Sequence, residues 1–169
     1  MCPIEYAKNN KKKSIAIVGI SIVFIALLSF LYNNKISPLS WGMWENVNTN
    51  NGLALDGYDA VAYHLQNSTQ KGNKSYAYTY ENATWHFSSK TNKQLFTQNP
   101  KKYMPKFGGY CAYGVGKGAT AAVDVNAWLI EKGELFLFND QGVKQSWLDE
   151  KKDGILNAAK INWKERVEI

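Results

Sequence analysis

From Ser14 to Tyr32 the chain reads SIAIVGISIVFIALLSFLY, an uncharged apolar run directly behind Lys11, Lys12 and Lys13. At about 1.5 Å per residue a helix of this length crosses most of a roughly 30 Å hydrocarbon layer, and apolar residues on every face predict a membrane helix over 14–32. The polar pattern changes next: residues 33–52, rich in Asn and Ser and carrying Pro38, Trp41 and Trp44, predict a juxtamembrane linker. A globular part is expected over 53–164.

Within it the apolar spacing alternates between periods of two and of about three and a half. Leu53 to His64, LALDGYDAVAYH, is a short apolar stretch broken by Asp56 and Gly57. Tyr76, Tyr78 and Tyr80 alternate on one strand, Glu81 and Asn82 turn, and Trp85 to Ser88 return, which predicts a hairpin. Ser89 is placed to cap a helix through Lys93, Leu95 and Phe96 that Asn99 and Pro100 stop. A glycine-dense loop from Gly108 to Gly118 leads to a second hairpin, Trp128 to Ile130 and Leu135 to Phe138, turning at Lys132 and Gly133. Val143 and Trp147, then Ile155, Ala158, Ala159 and Trp163, fall at helical spacing. The pattern is α+β: two β-hairpins with short helices, behind one N-terminal transmembrane helix.

Charge changes the picture by its distribution. The chain carries a formal +6, but Lys8, Lys11, Lys12, Lys13 and Lys35 face only Glu5 in the first 36 residues, and the other basic and acidic residues nearly balance. Without a basic stripe, nucleic-acid binding is not expected. The basic residues 1–13 place the N-terminus in the cytoplasm and the globular part outside, in the periplasm or extracellular space. Phe30, Leu31, Tyr32, Asn33 and Asn34 are not the small residues that a signal-peptide cleavage site needs, so a retained anchor is expected. Of the two cysteines, Cys2 precedes the apolar run, so a retained anchor puts it across the membrane from Cys111 and leaves Cys111 a lone thiol in an oxidising compartment.

Candidate chemistry gathers around that thiol. In FGGYCAYGVGKG, Phe107 to Gly118, five glycines surround Cys111, Tyr110 and Tyr113, so Gly108, Gly109 and Gly114 could let backbone amides approach a bound group. A phosphate loop is excluded, since no Ser or Thr directly follows Lys117. Cys111 with His64, His86 and Met104 forms a soft-ligand set suited to copper or zinc. Along the second strand of the first hairpin, His86 points away from Trp85 and Phe87. Asp56, Tyr58, Asp59 and Asp124 are turn residues that could orient a ligand, and Asn67 and Asn82 open glycosylation sequons.

These segments resemble the YHS-domain family, in the longer bacterial type built as one secreted or anchored module. The resemblance rests on LALDGYDAVAYH at Leu53–His64 and YTYENATWHFSSKTNKQLFTQNPKKYMPKFGGYCAYGVGKG at Tyr78–Gly118, with GGYCAYG the most specific part, and it extends to about residue 164. It implies a redox-capable chalcogen at Cys111, because similar proteins can carry selenocysteine there. Short domains of the wider family sit on copper-transporting ATPases, where paired cysteines suggest metal binding. This chain departs from that pattern, with Ser88 at one cysteine position and no cysteine in LALDGYDAVAYH. Three readings follow: a copper- or zinc-binding module working with a metal donor or acceptor protein, a thiol-redox protein with Cys111 as a lowered-pKa nucleophile, and a non-catalytic interaction module. None of them specifies a reaction.

Overall fold

The computed structural model describes residues 21–29, 44–151 and 154–167, and the chain divides into two units, Met1–Pro38 and Leu39–Ile169. In the first unit residues 21–29 form helix α1, whose large apolar side chains Ile22, Val23, Phe24, Ile25, Leu27 and Leu28 are all exposed. The rest of the apolar run, 14–20 and 30–32, lies outside the described residues. Among the described residues no helix is long and apolar enough to cross a membrane.

The second unit is α+β with two small sheets. The first has four strands in the order β1-β2-β4-β3: β1 (Thr49–Asn50), β2 (Leu53–Ala54), β3 (Asn73–Tyr80) and β4 (Ala83–Phe87). Strands β3 and β4 pair antiparallel with Tyr78 opposite Trp85 and Tyr80 opposite Ala83, and β2 joins β4 in parallel at Leu53 and Thr84. The second sheet is the hairpin β5 (Asp124–Glu131) and β6 (Glu134–Phe138). All three tight turns, Asn51-Gly52, Glu81-Asn82 and Lys132-Gly133, have positive φ at both central residues, the geometry that matches the twist of a two-residue hairpin.

The helices are α2 (Ala60–Leu65), α3 (Lys90–Gln98), α4 (Pro100–Tyr103), α5 (Ala112–Gly116), α6 (Gln141–Glu150) and α7 (Ile155–Val167). Three start on side-chain caps: Asp59 accepts from Val61 and Ala62, Ser89 from Asn92, and Asp140 from Val143. Pro100 does follow the end of α3, yet it also opens α4 at a first-turn position where its missing N–H costs nothing.

Two expectations are corrected here. The linker expected to reach residue 52 ends earlier, because Val47 is 3% exposed in the core, Asn48 N donates to Gly108 O at 2.8 Å, and β1 pairs with β2. The glycine-dense stretch is not an open loop: it holds the end of a 3-10 turn, Lys106–Gly109, and then α5. Glycine is required inside α5 by packing, since a Cβ at Gly116 would sit 2.6 Å from Ile155 Cδ1 of α7 and one at Gly114 3.2 Å from Ala119 O.

Strand β6 explains why both sheets belong to one body. Leu135 and Leu137 enter a core with Trp85, Phe87, Phe96 and Tyr63, whereas Phe136 and Phe138 enter a second with Phe107, Trp147, Ile155 and Ala159. Successive side chains of a strand leave on opposite faces, so the unbroken apolar run LFLF serves two cores at once.

Candidate functional site

The segments that carry the sequence signal meet at one place. In the first, Leu55, Asp56 and Gly57 are successive residues with φ of 50, 49 and 77°. In the second, Phe107, Gly108 and Gly109 have φ of 55, 60 and 83°. Left-handed backbone at Leu55, Asp56 and Phe107 is strained, by roughly 1–3 kcal/mol per residue, and it persists only where the surroundings dictate it. The two turns pack together: a Cβ built on Gly109 would lie 3.7 Å from Leu55 Cδ2. Between them lies a cleft of about 280 Å³, bordered by Asn48, Asn50, Leu53, Asp56, Gly109 and Val123 among others. Its mouth is polar and tied together, with Asn50 Nδ2 donating to Asp56 Oδ1 at 3.2 Å and Asn48 Nδ2 to Gly109 O at 3.2 Å.

Cys111 follows the cleft-bordering Gly109 by two residues. Its backbone pairs in parallel with Leu137, and its N–H donates to Ala121 O at 3.3 Å, one residue from the cleft-lining Ala122. The residue is 2% exposed at the start of α5. Burial pushes the thiol pKa above its ordinary value, and the amides of Gly114, Asn139 and Tyr113, which donate to the sulfur, offset this only in part. Desolvation thus outweighs the amide dipoles, the opposite direction to the lowered pKa that a redox nucleophile uses.

The other soft-ligand candidates are not brought to Cys111. His64 sits edge-on to Tyr103 with ring centroids 5.5 Å apart. His86 lies across the sheet from Ala77 and against Gly57 and Gly72, where Cβ atoms would come within 3.1 and 2.6 Å of its ring and its own Cβ. Burial lowers both histidine pKa values, helped at His64 by Lys102 and at His86 by Lys74 and Lys71. Among the described residues His64 Nε2 is buried without a hydrogen-bond partner. Met104 borders a different groove, with Tyr80, Phe107 and Trp163. Among the described residues no three His, Cys, Asp or Glu side chains stand where they could hold one metal ion.

The remaining candidates serve the fold. Asp59, wholly buried, accepts from Val61 N and Ala62 N on Oδ1 and from Ser88 N, Ser88 Oγ and Asn92 Nδ2 on Oδ2. Ser88 is thus held by a carboxylate. Lys71 Nζ donates to Asp56 O at 2.6 Å and lies 4.3 Å above the Tyr58 ring. Tyr110 Oη accepts from Glu45 N at 3.4 Å, and Tyr113 Oη donates to Glu150 Oε1 at 2.7 Å. Asp124 caps its own strand, accepting from Asn126 N.

Sequence reasoning missed Asn48 and Asn50, because it began the domain at residue 53. The Asn51-Gly52 pair, the strongest short hairpin signal a sequence can carry, would have found them. No family model matches the chain, and no curated protein or solved structure matches it.

Proposed function

We propose that this is a single-pass membrane-anchored protein whose extracytoplasmic part is a YHS-like binding module, taking its ligand at the cleft between the Leu55–Gly57 and Phe107–Gly109 turns. The convergence of these two strained turns carries the reading. Strain of this kind is retained where a rigid, preformed concavity is useful, and both turns come from the segments that resemble the YHS family. The exposed apolar side chains of α1 support the anchor, and the basic residues before it support a cytoplasmic N-terminus. In this reading Cys111 is a masked thiol. Neither a nucleophilic sulfur nor a multi-ligand metal site is needed.

One experiment separates the three readings: anaerobic alkylation of Cys111 with iodoacetamide in the folded full-length chain across pH 6–9.5, with and without Cu(I) or Zn(II). Cys2 is replaced by Ser so that one thiol is read. Because burial raises the thiol pKa, less thiolate exists at every pH than for free cysteine. The expected result is alkylation at least about tenfold slower than free cysteine at pH 7, with the rise displaced above the ordinary thiol range near 8.5, and no stoichiometric metal uptake. Reaction at pH 6 as fast as free cysteine would restore the thiol-redox reading. Stoichiometric copper or zinc uptake that protects Cys111 would restore the metal module and require the four soft ligands to leave their separate neighbourhoods.

A further inference from the structure

On the other side of the Phe107–Gly109 turn lies a larger groove, about 790 Å³ in volume. Its floor is apolar and aromatic, formed by Met104, Phe107 and Trp163, with Tyr80 at one wall. Its rim is cationic: Lys101 of α4, Lys106 of the 3-10 turn, and Lys160 and Lys164 of α7 all border it. Lys160 and Lys164 are four residues apart on one helix, so they rise on the same face one turn from each other. Two carboxylates also border the groove, and both are engaged. Glu134 pairs with Lys106 at 3.1 Å, and Glu81 accepts from Asn46 Nδ2 at 3.0 Å. Lys101, Lys160 and Lys164 are exposed and have no carboxylate within 4.0 Å among the described residues.

Four lysines border this aromatic surface against two carboxylates that are already engaged, and a ligand anion would complement that charge while its apolar body covers the aromatic side chains. We infer that this groove is a binding site for a small anionic aromatic molecule, with its phosphate or carboxylate held by Lys101, Lys160 and Lys164 and its ring laid against Trp163. Volume and chemistry agree, since pockets for small ligands measure roughly 300–1,000 Å³ and combine apolar walls with a few charged anchors. The rigidity of the surface comes from the fold: the half-buried Trp163 is backed by the buried Phe107, with ring centroids 6.1 Å apart, so its position is set before the ligand arrives. This site is separate from the cleft proposed above and does not depend on it.

The test uses the full-length chain in phosphatidylcholine nanodiscs and 4-nitrophenyl phosphate as the probe in equilibrium dialysis. Saturable binding is expected, and neutral 4-nitrobenzyl alcohol, which has the ring but not the anion, should bind at least tenfold more weakly. Lys160→Gln with Lys164→Gln, both on an exposed helix face, should weaken the phosphate probe at least tenfold with an unchanged melting curve. Glu134→Gln, which frees Lys106, should tighten it. No saturable binding at millimolar probe, or binding that the lysine substitutions leave unchanged, overturns the inference. Displacement of the probe by phosphatidylglycerol in the nanodisc also overturns it, because the groove would then be a seat for the bilayer surface.

Discussion

Replacing Asp59 by alanine is expected to destabilise the globular unit by roughly 3–5 kcal/mol, the range for removing one partner from a buried charged network. The carboxylate is completely buried and accepts five hydrogen bonds from three elements: the first turn of α2, the end of β4 at Ser88, and Asn92 of α3. Alanine removes the helix cap and takes the carboxylate acceptor away from the donors on Ser88 and Asn92, leaving Asn92 Nδ2 only its 3.2 Å bond to Ser88 Oγ. Urea unfolding of the full-length chain followed by tryptophan fluorescence measures the loss. Asp59→Asn keeps one acceptor oxygen but turns an amide toward existing donors, so it should fall between wild type and alanine. A loss under about 1 kcal/mol for Asp59→Ala would mean that the network is not the clamp described here.

The second large effect is expected at Phe96. Its ring is fully buried and meets four others, with centroids 5.0 Å from Trp85, 5.0 Å from Phe87, 6.2 Å from Tyr80 and 6.4 Å from Tyr78. It is the one side chain of α3 that touches both strands of the first hairpin through their aromatic faces. Phe96→Ala removes that burial and leaves a cavity among rigid rings that cannot collapse into it, for a cost of about 3–5 kcal/mol. Phe96→Leu keeps most of the volume and should cost under about 1.5 kcal/mol. The same denaturation experiment distinguishes them, and equal costs for the two variants would sink the cavity argument.

Both predictions concern residues whose weight could not be read from the chain alone, although their neighbours could. Local chemistry made the hairpins legible: Tyr76, Tyr78 and Tyr80 alternate, and each turn has at its second position a residue that tolerates positive φ, Asn82 or Gly133. Ser89 was legible as a cap because capping is settled within four residues. Asp59 looked like a turn aspartate for the same reason, and locally it is one, since it caps α2. Its second oxygen depends on Ser88 and Asn92, far along the chain, and no local pattern announces that.

The candidate chemistry divides in the same way. Residue types placed the interest at LALDGYDAVAYH and FGGYCAYG, and the fold brings these two segments together at a cleft. The soft-ligand set was a matter of composition, and composition is silent about distance. His64 faces Tyr103, His86 packs on Gly57 and Gly72, and Met104 borders the lysine groove. The sign of the Cys111 shift likewise depended on burial, which is a sum over neighbours from β5, β6 and α5, and on amides from Tyr113, Gly114 and Asn139.

By itself, then, the sequence determined the α+β class, the two hairpins, the cap at Ser89 and the residues at which to look, because each depends on interactions within a few positions or on a short period of polarity. Tertiary structure alone decided that the glycine stretch is helical, that β6 serves two cores, that Cys111 is buried, and that lysines from α4 and α7 border one groove with Trp163. Those outcomes rest on desolvation and on contacts between distant segments, and both are set only when the whole chain has closed around them.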